Sequence, residues 1–220
     1  MSNVVPLIKK EFTLELRRKS VVAGLGLYLF SMVFICYLAF ALRQDLITPI
    51  VWSALFWITM LFTAINTIAK SFIGEKRGLD IYYYSIANPL DFLVAKIVYN
   101  FFLCLLLALT GYFLFGLFLK DPIQDHWIFL ATLALTAAGF STSLTLLSGI
   151  AAKAQNSNIL MAVLSFPVVI SILLLAIKVT KNCIDGLDVD ASYGPLTMLL
   201  AINALVAAIS YLLFPFVWKS

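Results

Sequence analysis

Few residues in this chain are of a type that does chemistry, and their spacing excludes more than it suggests. There is one histidine, His126, beside Trp127, and there are three cysteines, Cys36, Cys104 and Cys183, no two of which share a connection between apolar runs. No His pair, Cys-x-x-Cys or acidic cluster within an apolar run offers a metal site, a pair of axial haem ligands or a catalytic dyad. The chain has no G-x-x-x-x-G-K-[ST] segment, so it lacks the usual phosphate loop for ATP. A lone histidine at the edge of an apolar run reads as a solvated surface group, and the cysteines read as unpaired thiols. No catalytic residue, no metal site and no cofactor bound by this chain are expected.

The elements that would position any site are dictated by hydropathy. Of the 220 residues 63% are hydrophobic and 12% charged, where a soluble domain has about 45–50% and about 25%. Cutting the chain at its charged residues leaves six long uncharged runs, 20–42, 46–69, 97–119, 127–152, 154–177 and 191–218. Each is long enough, at about 1.5 Å per residue, to cross a hydrocarbon core of about 30 Å. A transmembrane β-barrel would need short alternating strands, and these runs are continuous. The expected fold is all-α: a polytopic membrane protein with six transmembrane helices, near 20–42, 46–69, 92–119, 127–152, 158–177 and 196–217. Soluble enzymes, secreted domains and nucleic-acid binders are set aside. Ala39-Phe40-Ala41 has the form of a signal-peptidase site, but the apolar run before it is too long for a signal peptide.

Eleven of the fifteen Lys and Arg residues fall with the two termini and the second and fourth connections. By the positive-inside rule both termini are cytoplasmic. The excess positive charge then marks topology and contact with anionic lipid headgroups. The expected location is the bacterial inner (plasma) membrane.

Two non-membrane segments carry pattern. In 4–19, Val5, Ile8, Phe12 and Leu16 recur at three and four residues while Lys10, Arg17 and Arg18 lie elsewhere, which suits a helix along the inner leaflet. The second connection reads GEKRGLDIYYYSIANPLD from Gly74 to Asp91. Leu79, Tyr82, Tyr83 and Ile86 form one apolar face of a short helix, 75–87, with Glu75, Lys76, Arg77 and Gly78 at its start. Asn88 then serves as N-cap, Pro89 as first helical residue and Asp91 as capping-box partner. Such a segment is a handle on which a soluble partner can push.

Within the runs the polar content is uncharged. Ala137, Ser141, Thr145 and Gly149 repeat every four residues, a small-residue stripe that permits close helix contact. Asn66, Asn100 and Asn203 are interior amides expected to bond neighbouring helices, and Pro167 marks a kink or hinge. Lys178 to Pro195 reads as an acidic outer loop. The absence of charge within the runs argues against an ion-driven carrier.

The whole chain resembles the six-span membrane subunits of ABC exporters, through Glu75, Gly78, the Asn88-Pro89-Leu90 turn and Ala95-Lys96. Its size and Leu164-Ser165-Phe166-Pro167 are most similar to the CcmB family of cytochrome c maturation permeases, although the run Tyr82 to Tyr84 departs from the leucine-rich sequence common there. The resemblance implies that 75–87 is the coupling helix docking on a separate CcmA-like ATPase. It further implies a CcmC-like haem-handling protein, a CcmD-like small membrane protein and a CcmE-like chaperone as partners, and a homodimer. ATP would then sit on the partner subunit and haem would be a candidate cargo. Alternatives are a generic ABC exporter permease for a lipid, drug or polymer, and a membrane assembly scaffold with no energy coupling.

Overall fold

The computed structural model describes residues 4–17, 19–43, 47–68, 88–152 and 157–219, with backbone alone at 15–17, 19–22, 157–164 and 218–219. Among these residues there are seven helices and no strand: α1 (Val4–Arg17), α2 (Lys19–Phe40), α3 (Pro49–Ile68), α4 (Pro89–Leu119), α5 (His126–Ala152), α6 (Ser157–Ile184) and α7 (Asp190–Lys219). α2 to α7 are each long and apolar enough to cross a membrane. In lipid every backbone amide must be satisfied within its own segment, so uninterrupted apolar runs become uninterrupted helices.

Helix ends depart from the hydropathy cuts where polar residues still suit a helix. α4 starts at Pro89, which takes Asp91 and Lys96 into the third membrane helix. α6 runs on to Ile184 and α7 begins at Asp190, so Lys178, Lys181, Cys183 and Pro195 are helical and the acidic loop shrinks to a short turn. α6 also continues through Pro167.

α5 is the centre of the bundle. Its membrane window is 72% buried, against 11% for α2 and for α7. Every residue from Ser141 to Gly149 is buried, so the stripe Ser141, Thr145 and Gly149 faces protein on all sides. Small residues let neighbouring backbones approach where lipid supplies no hydrophobic drive for helix pairing. Gly139 shows how close they come: a Cβ there would stand 2.5 Å from Asn203 Oδ1 of α7 and 2.9 Å from Ile172 of α6.

Polar side chains stitch the helices across this centre. Asn100 Nδ2 donates to Thr145 Oγ1 at 2.7 Å, Asn203 Nδ2 to the Leu135 carbonyl at 2.7 Å, and Trp57 Nε1 to Thr180 Oγ1 at 2.8 Å. Asn66 differs from expectation, since its amide donates to the Phe62 carbonyl of its own helix at an exposed position. Trp52 and Phe56 of α3 pack with Phe115 of α4 and Phe129 of α5 at ring distances of 5.3 to 6.2 Å.

Candidate functional site

Sequence pattern directs attention to the start of α4. Glu75, Lys76, Arg77, Gly78, Leu79, Tyr82, Tyr83 and Ile86 lie outside the described residues. The described part begins at Asn88, which has the extended backbone of an N-cap (φ −68°, ψ 132°) with Pro89 at the first helical turn. The Asn88 side chain makes no capping bond, contrary to expectation; its carbonyl accepts from the Phe92 N–H at 3.2 Å. The helix is therefore started by backbone geometry and by proline, whose missing N–H is one of the unpaired donors of a first turn in any case.

Two turns into α4 stands a charge that the hydropathy cuts placed outside the membrane. Phe92, Lys96 and Tyr99 follow at four and three residues and so share one face, the face against α1. Lys96 is 1% exposed, and its Nζ lies 3.5 Å from Glu11 Oε2 and 5.2 Å from the Phe92 ring centre. Lys10 Nζ reaches Glu11 Oε1 at 3.2 Å and stands 5.4 Å from the same ring. One carboxylate thus binds two ammonium groups, and an aromatic face takes both from the other side. Phe12 seals the cluster, edge-on to Tyr99 at 5.1 Å and tilted against Phe102 at 6.4 Å.

This clamp fixes α1 onto α4. The helical spacing of α1 is present, but its apolar residues divide between neighbours: Ile8 and Phe12 are half-buried while Val5 is 72% exposed. The side chains of Leu16 and Arg17, and all of Arg18, lie outside the description. Glu11, Phe92, Lys96 and Tyr99 are the residues that periodicity did not single out. The available signal was positional, because any helix begun by Asn88-Pro89 carries Lys96 two turns inward.

At the far end of α4 and α5 a second cluster forms on the turn Lys120 to Asp125. Tyr112 O–H donates to Asp121 Oδ2 at 2.5 Å, and the phenol oxygen lies 3.1 Å from His126 Nδ1. Asp121 Oδ1 accepts from the Ile123 N–H at 3.0 Å, and Asp125 Oδ1 from the Ile128 N–H at 3.3 Å, the latter capping α5. Lys120 adopts a positive φ of 63° with ψ 158°, and its carbonyl is held by Trp52 Nε1 at 3.2 Å. Gln124 and Asp125 donate their backbone N–H groups to the Cys183 carbonyl, and Gln124 Nε2 donates to the Ile184 carbonyl at 3.0 Å. Gly186, also at φ 63°, leaves room for the Gln124 amide. His126 is exposed, as expected, but it is bound rather than merely solvated.

Six membrane-length helices among the described residues, with the small-residue α5 at their centre and α1 clamped on α4, define a multi-pass helical membrane protein. A family model described as CcmB protein matches residues 2–218. The chain therefore belongs to the CcmB family, and with that it is a permease-type membrane component of the ABC system for cytochrome c maturation and haem transport. No curated protein matches it.

Proposed function

We propose that this chain is the membrane half of an ABC complex in the bacterial inner membrane, with both termini cytoplasmic, that converts ATP hydrolysis on a CcmA-like ATPase into haem delivery or release of a haem-loaded CcmE-like chaperone. A CcmC-like haem-handling protein and a CcmD-like small protein complete the assembly, and two copies of this chain supply its two membrane halves. The chain itself is non-catalytic; ATP belongs to the partner, and haem is cargo.

The observation that carries the reading is the family match over residues 2–218. The clamp gives it a mechanism. Segment 75–87 docks on the ATPase and leads directly into Asn88-Pro89, and the first two turns beyond are tied to α1 through Lys96 and Glu11. Displacement of the docking helix is then passed to α4 and α1 together and on to α5 through Asn100 and Thr145. A partner that binds the two positions with different affinity converts that displacement into work.

Mild-detergent extraction of the tagged chain from native membranes tests the reading. Recovery of a P-loop ATPase together with a tryptophan-rich haem protein is expected. An ATPase alone would indicate a generic exporter, and recovery of neither from intact complexes would leave only the scaffold. Gly78 or Leu79 replaced by a bulky charged residue should abolish ATPase recovery and cytochrome c maturation; if both survive, 75–87 is not the docking helix.

A further inference from the structure

We infer that one water molecule is bound inside the bundle where α3, α4 and α5 meet, held by Thr63, Cys104 and Thr136. The chain of reasoning starts from a hydroxyl. Thr136 is 1% exposed, and its Oγ1 has no hydrogen-bond partner among the described residues. Buried hydroxyls are normally paired, because an unpaired one has given up its bonds to water for nothing. Thr132, one turn earlier on α5, shows the ordinary solution by donating to the Ile128 carbonyl at 2.8 Å. Thr136 instead lines a cavity.

That cavity is about 20 Å³ and lies between three helices, with Thr63 of α3, Cys104 of α4 and Thr136 of α5 in its wall. A single water needs about 10–15 Å³ and about two to four polar partners. Both conditions hold here. Thr63 Oγ1 uses its proton on the Thr59 carbonyl at 2.7 Å and keeps its acceptor lone pairs. Thr136 offers its proton, and Cys104, a free buried thiol, adds a weak acceptor. A water that accepts from Thr136 and donates to Thr63 and Cys104 satisfies the orphaned hydroxyl and links three helices at once. Among the described residues no charged side chain lines the cavity, which excludes an ion, and Leu107, Leu133 and Phe140 complete an apolar wall. An apolar guest would leave Thr136 unpaired.

The place of the site gives the water a structural role. α3 bonds to its neighbours in its first half, through Trp52, Ser53 and Trp57. In its second half Thr63, Asn66 and Thr67 donate to carbonyls of α3 itself. The water ties that second half to α4 and α5, one turn along α4 from the Asn100–Thr145 bond. A bridging water is nearly as good a bond as a direct one. Because α3 leads toward segment 75–87, the water becomes a second route for displacement from that segment; this role rests on the proposed function, while the water site does not.

A crystal structure of the full chain in lipidic mesophase, at a resolution that shows ordered water, should place density within hydrogen-bond distance of both threonine hydroxyls. The same map of Thr136→Val should lack it. Thr136→Val also gives a sign. With water bound, the variant leaves that water a partner short, and the thermal midpoint of the detergent-solubilised chain should fall by about 2–4 °C. In a dry cavity the variant would remove an unpaired hydroxyl, and the midpoint would rise. Thr63→Val combined with Thr136→Val should lower the midpoint by less than the sum of the two, because both act on one water. A rise for Thr136→Val, additive losses, a direct Thr63–Thr136 bond or no density at the site would each overturn the inference, and the wild-type map decides should Thr136→Val fail to fold. A chain that recovers its ATPase yet shows no water sinks this inference alone. One that holds the water yet recovers no ATPase sinks the proposed function alone.

Discussion

At one end of the bundle Lys96 is held by Glu11, a partner 85 residues distant in sequence, whereas at the other end Tyr112 and His126, 14 residues apart, hold each other across a single turn. The first cluster is made of charges and aromatic faces on two separate helices. The second is made of directional bonds, several of them to backbone, with a positive φ fixed in its middle. Ion pairs and ring contacts tolerate small changes of angle, so the clamp suits a joint between elements that travel together. Hydrogen bonds to backbone weaken steeply with angle, so the turn suits a fixed frame. The contrast gives the start of α4 the character of a joint and its end that of a rigid frame.

The largest effect should come from breaking the clamp. Glu11→Ala removes a carboxylate partner of an ammonium that is 1% exposed, and loss of one partner of a buried pair costs about 3–5 kcal/mol. The thermal midpoint of the detergent-solubilised chain should fall accordingly, and Glu11→Ala combined with Lys96→Met should recover most of the loss. Equal destabilisation in the single and double variants would show that the pair is not the clamp. Gly139→Ala comes next, at about 1–3 kcal/mol, because the new Cβ meets Asn203 and Ile172. It should lower the same melting midpoint, and an unchanged midpoint would show that the close approach of α5 to α6 and α7 is not needed for stability.

Asn100→Ala should cost less, about 0.6–2 kcal/mol, the range for a hydrogen bond between membrane helices. Its use is to sharpen the transmission route. If coupled ATPase activity in the assembled complex falls while stability hardly moves, the Asn100–Thr145 bond carries displacement into α5. The smallest change has the opposite sign. Lys120→Gly relieves the positive φ and should stabilise the chain by about 1 kcal/mol net of the freedom glycine adds to the unfolded state. A loss of stability would mean that the Lys120 side chain, not its backbone, organises the distal turn.

The membrane helices were legible because each is a local property of composition, and Asn88-Pro89 announced the start of α4 through backbone chemistry. The small-residue stripe of α5 also announced itself, although not that α5 would be enclosed on every side. Lys96 ends a hydropathy run because any charge does, and its partner Glu11 could not be seen from the run because it lies 85 residues back. His126 was read as solvated because its holder, Tyr112, sits 14 residues back on another helix.

What the sequence by itself determined is therefore the number of helices long and apolar enough to cross a membrane among the described residues, and their approximate limits. Hydropathy decides these one segment at a time, since a backbone in lipid must bond within its own helix. What only the tertiary structure decided is which helix stands at the centre, that Glu11 meets Lys96, and that Tyr112 meets both Asp121 and His126. Between helices already in lipid there is little hydrophobic drive left, so pairing is settled by close fit and by a few polar partners, and those come from residues far apart along the chain.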